Sequence, residues 1–414
     1  MRQPNPVWPV VTTMIKRPPW TLPVIVFAQF AGTSIWFSGN AVLAELMQHW
    51  SSSSPMAGWI TSAVQLGFIA GTLVFAIFAV SDRFSPRWVF LLCAVAGSLS
   101  NLLTGLAGNS MAWLLGLRFM TGFFLAGIYP VGMKIAAGWY QKGLGNALGF
   151  LIGALVLGTA FPHLLKGGLT SVPWQAVFVL SSGVCLLGGL LMFLLIPDGP
   201  YLVAGARFNP RAVAALLGHR ELRAAALGYF GHMWELYTLW AFVPVFLAAS
   251  LSSGPGLSHN LSFWSFLIIG IGSVGCIVGG LVSARVGSAR VAFIQLAVSG
   301  ICCLFSPLLF TAPPALFLAF MLLWGTAVVG DSPQFSTIVA RTAPPELVGS
   351  ALTLVNCIGF SITVVSLSLM QWIAAMVPPQ YLLVLLAAGP ATGLVCMKSL
   401  LQRNRVSSPP GDQT

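Results

Sequence analysis

Twelve apolar stretches divide this 414-residue chain, and each has the roughly 20 residues that a helix needs to cross a bilayer. They cover 20–43, 56–80, 88–108, 110–133, 144–165, 174–196, 223–248, 262–284, 289–311, 314–340, 348–376 and 379–402. A water-soluble shell is excluded, because only 7% of residues are charged against 57% hydrophobic, too few to cover a surface of this size. The remaining charges are sorted. With the N-terminus placed inside, seventeen of the nineteen Lys and Arg fall on inner loops and tails; Lys166 lies outside and Arg118 within a span. Cationic loops are retained on the cytoplasmic side. Both termini are therefore expected in the cytoplasm, with the chain in a plasma membrane, in bacteria the inner membrane.

A net charge of +11 can mark a nucleic-acid binder. Here the cations are spread over short loops and tails, and no basic stripe with interleaved aromatics exists. Nucleic acid is not an expected partner; the bilayer and its anionic headgroups are. The seven cysteines lie in apolar stretches without a CxxC pair, which reads as small apolar residues rather than disulfides or a zinc site. Residues 1–19 lack a cleavable signal pattern, so the first apolar run is expected to stay as span one. Residues 403–414 read as a disordered tail.

The longest polar stretch, 197–222, lies near mid-chain. It reads as a cytoplasmic linker between two six-span halves, 20–196 and 223–402, flanked by the tails 1–19 and 403–414. The halves resemble each other. Arg83 in SDRFSPR falls on Arg285 in SARVGSAR at an offset of 202. Gly127-Ile-Tyr-Pro130 matches Gly330-Asp-Ser-Pro333 at 203, and Gly145-Asn-Ala-Leu148 matches Gly349-Ser-Ala-Leu352 at 204. Parallel duplication predicts two bundles related by an axis along the membrane normal, with a site between them at mid-membrane.

Twelve spans, a central loop and these motifs resemble the major facilitator superfamily over residues 20–402. The family signature between spans two and three is G-x-L-x-D-R-x-G-R-R. Asp82, Arg83 and Arg87 fit it, while Phe78 and Ser85 stand where the glycines belong. The second copy keeps Gly280, Gly287, Arg285 and Arg290 but has Ala284 in place of the acid. Arg118-Phe-Met-Thr-Gly122 looks like the family's R-x-x-x-G element on span four, whose arginine is associated with proton or substrate handling. The stretch RFMTGFFLAGIYPVGMKIAAGW is most similar to the branch with nitrate/nitrite, cyanate and organic-anion carriers. The resemblance implies an all-α polytopic membrane protein, with twelve transmembrane helices in two pseudo-symmetric six-helix bundles. It implies secondary active transport of one small solute by alternating access, driven by an ion gradient, with protons the first choice. A monomer without cofactor or metal is expected.

A charge inside a span needs a partner or water. Arg118, Glu235 and Asp331 are the three such residues in spans four, seven and ten. They either form a buried pair that pins helices or line an aqueous cavity; the second reading makes them functional. His232 lies three residues before Glu235 and shares its helix face, whereas Tyr237 points elsewhere. Glu235 is thus the first proton-coupling candidate, with His232 as relay and Asp331 as a further member. Arg118 can fork onto carboxylate, nitrate or phosphate oxygens and is the first candidate for an anionic substrate. If the solute is a cation or a neutral drug, Arg118 instead tunes the proton acid. Trp36, Asn40, Tyr129, Gln334 and Asn356 are further candidates for the cavity wall. The family resemblance sets Asp82 against the N-terminus of span eleven near Glu346–Gly349, a favourable dipole contact. Arg83, Arg87, Arg285, Arg290 and Arg341 would then form gating ion pairs, or else snorkel as topology charges.

The chain has no Walker loop, HExxH or GxSxG, so no enzyme activity is expected and ATP does not drive it directly. The first reading is a carrier of a small organic or inorganic anion. The alternatives are a proton-coupled exporter of drugs or metabolites and a transport-inactive membrane sensor or assembly factor.

Overall fold

The computed structural model of the protein describes residues 18–49, 56–106, 110–140, 144–168, 173–202, 208–251 and 260–406. Arg2, Lys16, Arg17, Lys142, Arg207 and tail residues 407–414 lie outside them. Among the described residues there is no strand, and eleven helices are long and apolar enough to cross a bilayer. A twelfth apolar helix, Thr21–Thr33, is shorter. A helix satisfies its own backbone, which is what lipid demands. Span four runs on to Trp139, past the boundary at 133 that the polar Lys134 suggested. The Lys134 ammonium turns aside and bonds the Asp82 carboxylate and Ser81 O, so the helix carries it without exposing an unpaired charge.

The two halves pack alike. Span two lies on four as span eight lies on ten, three on six as nine on twelve, and one on five as seven on eleven. Between the halves, span two packs on eleven and span five on eight. The duplication reaches down to single contacts. A Cβ on Gly122 would meet Val64 O of span two at 1.9 Å, and one on Gly325 would meet Ile268 O of span eight at 1.9 Å. These two glycines are 203 residues apart. Each lets backbone touch backbone, the tight approach that drives helix association in lipid.

Spans four and ten are both broken, and at equivalent places. Span four is Met111–Leu125 followed by Tyr129–Trp139; span ten is Pro314–Gly330 followed by Ser332–Thr342. Pro130 and Pro333 open the second helix of each pair. Proline has no N–H to give the preceding turn and its ring clashes with it, but at a helix start it is preorganised. Span one is broken as well. Thr21–Thr33 covers about 20 Å at 1.5 Å per residue, and irregular backbone then leads to the short helix Ser38–Ala41. Ser34 Oγ donates to Ala31 O at 2.7 Å and Ser38 Oγ to Ile35 O at 3.0 Å, hydroxyl contacts that compete with the helical ladder. Span seven, by contrast, is one helix, Arg220–Leu251. The linker carries a short helix, Arg211–Gly218, and touches both halves: Phe208 N–H reaches Ala76 O at 3.4 Å, and Asn209 N–H donates to Ser350 Oγ at 2.9 Å.

Candidate functional site

The break in span one frees the carbonyls of Ile35 and Trp36, and Arg118 takes them up. Nη1 and Nη2 each donate to Ile35 O at 3.2 Å, and Nη2 also reaches Trp36 O. Nη1 further donates to Ser38 Oγ at 3.2 Å and Asn101 Oδ1 at 2.8 Å. Asn101 in turn donates to Ser182 Oγ at 2.9 Å and Ser181 Oγ at 3.1 Å. One guanidinium therefore ties spans one, three, four and six. Its exposure is 0%, and Nε has no hydrogen-bond partner. The ion pairs among the described residues are Lys134–Asp82, Lys166–Glu45 and His232–Asp331; Arg118 is in none of them.

The C-terminal half buries acids instead, and Met321 stands at the position 203 residues after Arg118. Asp331 sits at the break of span ten. Its Oδ1 is 2.8 Å from His232 Nδ1, with both side chains 1% exposed. The rings of Tyr229 and Phe335 flank the imidazole at 5.7 and 6.1 Å. Glu235 turns the other way. Its Oε1 accepts from Ser299 Oγ at 2.5 Å, Trp324 Nε1 at 2.7 Å and Cys303 Sγ at 3.3 Å. The expected Glu235–His232 partnership is thus replaced. A spacing of three residues leaves two side chains offset around a helix, enough for His232 to face the span-ten break while Glu235 enters the cleft between spans nine and ten.

Where the halves meet, the middle of the molecule is aromatic. Trp36 stacks on Tyr237 at 5.7 Å and on Phe360 at 6.0 Å. Phe68 lies 4.6 Å from Phe360 and 6.4 Å from Tyr129, and Phe37 meets Trp240 edge-on at 6.2 Å. Buried polar atoms without partners border this seat: Trp36 Nε1, Trp240 Nε1, Asn40 Oδ1 and both amide atoms of Gln65. Asn40 Nδ2 donates to Thr61 Oγ1 at 2.7 Å, and Gln65 follows one turn after Thr61. Of the residues singled out from sequence, Trp36, Asn40, Tyr129 and Arg118 gather here. Gln334 follows the span-ten break, its N–H on Asp331 O at 3.0 Å, and Asn356 stands half-buried on span eleven, one turn before Phe360. Tyr237, Phe68, Phe360, Gln65 and Asn101 were not anticipated. Tyr237 does point away from Glu235, and that direction is the seat.

A cavity of about 400 Å³ opens between the halves on the side of the chain termini, with Thr72, Pro130, Asp82, Lys134, Phe208 and Glu346 among its walls. Neither Arg118 nor Glu235 lines it. The expectation that both face an aqueous cavity is corrected: in this conformation each is buried among protein donors and acceptors. Asp82 pairs with Lys134 of its own half, and Glu346, Gly349 and Ser350 stand among the cavity walls with it. Arg83, Arg285, Arg290 and Arg341 are exposed and in no ion pair among the described residues. Arg87 lies over the Phe193 ring at 5.4 Å.

A sequence model described as the Major Facilitator Superfamily matches residues 24–367. The "Probable sulfoacetate transporter SauU" of Cupriavidus necator is 23% identical over 290 residues, 62% of this chain and 65% of that protein. The "D-galactonate transporter" of Escherichia coli O6:H1 is 28% identical over 114 residues, 27% of this chain and 26% of that one. The chain spans less than two thirds of the length of the curated relatives it matches. Among solved structures, the human organic anion transporter MFSD10 superposes with a TM-score of 0.71 at 16% identity, covering 92% of this chain and 100% of that one. That likeness concerns the fold.

Proposed function

Because the chain belongs to the Major Facilitator Superfamily and is a multi-pass membrane transporter rather than an enzyme, we propose that it carries a small organic anion by alternating access, coupled to protons. The observation that carries this reading is Arg118, a fully buried guanidinium with no carboxylate partner. A cation out of water is costly without counter-charge. Its Trp36 O contact puts it directly behind the aromatic seat. An anion in that seat supplies the missing charge, and the orphaned Gln65, Asn40 and indole N–H groups supply hydrogen bonds that a polar solute needs. The named relatives that carry sulfoacetate and galactonate support the same solute class, a small acid with hydroxyl or sulfonate oxygens.

The coupling proton belongs to the His232–Asp331 pair. His232 Nδ1 stands 2.8 Å from Asp331 Oδ1, and the pair joins span seven to the break in span ten. Protonation changes the charge at that break, and the break is where span ten can bend. Asp82 and Lys134 guard the cytoplasmic mouth of the open cavity. The termini lie in the cytoplasm, and the membrane is a bacterial inner membrane. A second reading, export of an apolar solute, rests on the aromatic walls themselves.

A thermal-shift screen of the purified protein separates the two. A ligand at 100 times its Kd stabilises the folded state by about 2.7 kcal/mol. Stabilisation by sulfonates, aldonates or aldarates and not by their uncharged analogues is the expected result. Stabilisation by neutral apolar compounds alone sinks the anion reading.

A further inference from the structure

We propose that a hollow between spans seven and twelve is a specific seat for the headgroup of an anionic phospholipid. It holds about 350 Å³ and is lined by Arg220, Arg223, Lys398 and Ser399, with Leu227 and Val395 below them. Three of the chain's nineteen cations converge there, and no acidic residue lines it. Glu221 lies in the same first turn of span seven but is not part of the wall.

The hollow has the two-part character of a lipid. Leu227 follows Arg223 by one turn of span seven, and Val395 precedes Ser399 by one turn of span twelve. Both are toward the bilayer, and they are 39% and 63% exposed. A phosphate group can thus meet guanidinium, ammonium and hydroxyl donors while its acyl chain lies along Leu227 and Val395. Free inorganic phosphate would use the first part and leave the second bare, so the lipid is the better match. Arg223 spends one donor on Leu217 O of the linker helix, and a guanidinium has five. The remaining donors stay with the hollow, so a bound headgroup would sit against the point where the linker joins the second half. Basic pockets between helices on the cytoplasmic side are the places where acidic headgroups settle.

The test uses the full chain in detergent, titrated with phosphatidylglycerol, with phosphatidylcholine and with inorganic phosphate alone, read by native mass spectrometry and thermal shift. Phosphatidylglycerol is expected to bind selectively. Each surface cation contributes roughly fivefold to such binding, so R220Q/K398Q should weaken it by about 25-fold. R285Q/R290Q removes the same charge outside the hollow and should leave selective binding in place. If R220Q/K398Q is not monodisperse, K398Q alone, at an exposed position, should lose about fivefold. The proposal is overturned by equal binding of the two lipids or by equal loss in R285Q/R290Q. It is also overturned if inorganic phosphate stabilises the protein as much as phosphatidylglycerol does.

Discussion

The two halves share a backbone plan and carry opposite chemistry. Spans four and ten break at Gly127–Pro130 and Gly330–Pro333, 203 residues apart. Glycine contacts behind each break repeat as well. Yet the N-terminal half puts one cation into a nest of neutral acceptors, and the C-terminal half puts two acids among donors. Span one opens its helix to feed Arg118, whereas span seven stays whole and presents His232 and Glu235 from an intact ladder. Duplication has kept the positions where only glycine and proline fit, because a Cβ or a continued helix there costs packing. It has not kept the side chains between them. On the proposed reading, that division gives one half a site for negative charge and the other a site for a proton.

The comparison breaks most severely at Arg118. Arg118→Met leaves the Trp36 carbonyl dry, at about 1–3 kcal/mol, and leaves the Ile35 carbonyl with Ser38 Oγ alone. The expected result is a marked drop in melting temperature together with loss of uptake. Arg118→Lys keeps the charge but replaces a planar fork with a single ammonium, so it should fall between the two. A wild-type melting temperature and normal transport in Arg118→Met would remove the cation from the N-terminal side of the comparison.

Asp331→Asn addresses the other side. It keeps the size and an oxygen beside His232 but removes the carboxylate charge. Accumulation of solute in proteoliposomes against its gradient should cease, while exchange of labelled for unlabelled solute continues. Retained accumulation places the proton elsewhere. Loss of exchange as well makes Asp331 part of the solute seat.

A smaller effect compares the two breaks directly. A methyl on Gly127 would fall 2.2 Å from Cys93 Sγ and 2.8 Å from Phe75 Cε1; on Gly330 it would fall 2.3 Å from Gln295 Nε2. Overpacking of this kind costs about 1–3 kcal/mol. Gly127→Ala should destabilise more than Gly330→Ala in thermal unfolding, since a half-buried Gln295 amide can swing aside and a Cys93 packed in the core cannot. Equal losses would mean that the Gly330 break is held by backbone as firmly as the Gly127 break is by side chains, through Gly275 O at 2.9 Å from the added methyl.

Much of this plan is legible before any coordinates. The spans follow from hydropathy and the repeat from matched tetrapeptides, whose Gly and Pro stand at the breaks in four and ten. What spacing along one helix cannot carry is the identity of partners on another. Ser299, Trp324 and Asn101 are ordinary residues in apolar stretches until span packing sets them against Glu235 and Arg118. The break in span one has no glycine or proline at its turn. Its signals are Ser34 and Ser38, and those become readable only once a buried guanidinium is found to need their neighbouring carbonyls. Phe68, Tyr237 and Phe360 were hidden for a similar reason: single aromatics on spans two, seven and eleven look like lipid-facing residues until the halves bring them together with Trp36.

Glu235 gives the finest discrimination. It was the first proton candidate on sequence grounds, as a lone carboxyl in span seven, and its three donors now place it inside the C-terminal bundle rather than at the seam. Glu235→Gln preserves an oxygen for Ser299 and Trp324 and exchanges the other oxygen for an amide. If coupling rests on His232 and Asp331, the variant should keep gradient-driven accumulation and lose about 1 kcal/mol of stability or less, the scale of one altered hydrogen bond. If accumulation vanishes while exchange survives, the coupling proton moves to Glu235, and the His232–Asp331 contact becomes a clamp on the span-ten break. Measured beside Asp331→Asn in the same proteoliposomes, this variant decides which of two carboxyls, on adjoining spans of one bundle, answers the proton gradient. The side chain that answers must also be reached by water during the cycle. Glu235 Oε1 is held by donors from spans nine and ten, whereas Asp331 stands at the break of span ten, where a helix can bend, and this is why the effect of Glu235→Gln is expected to be the least of the four.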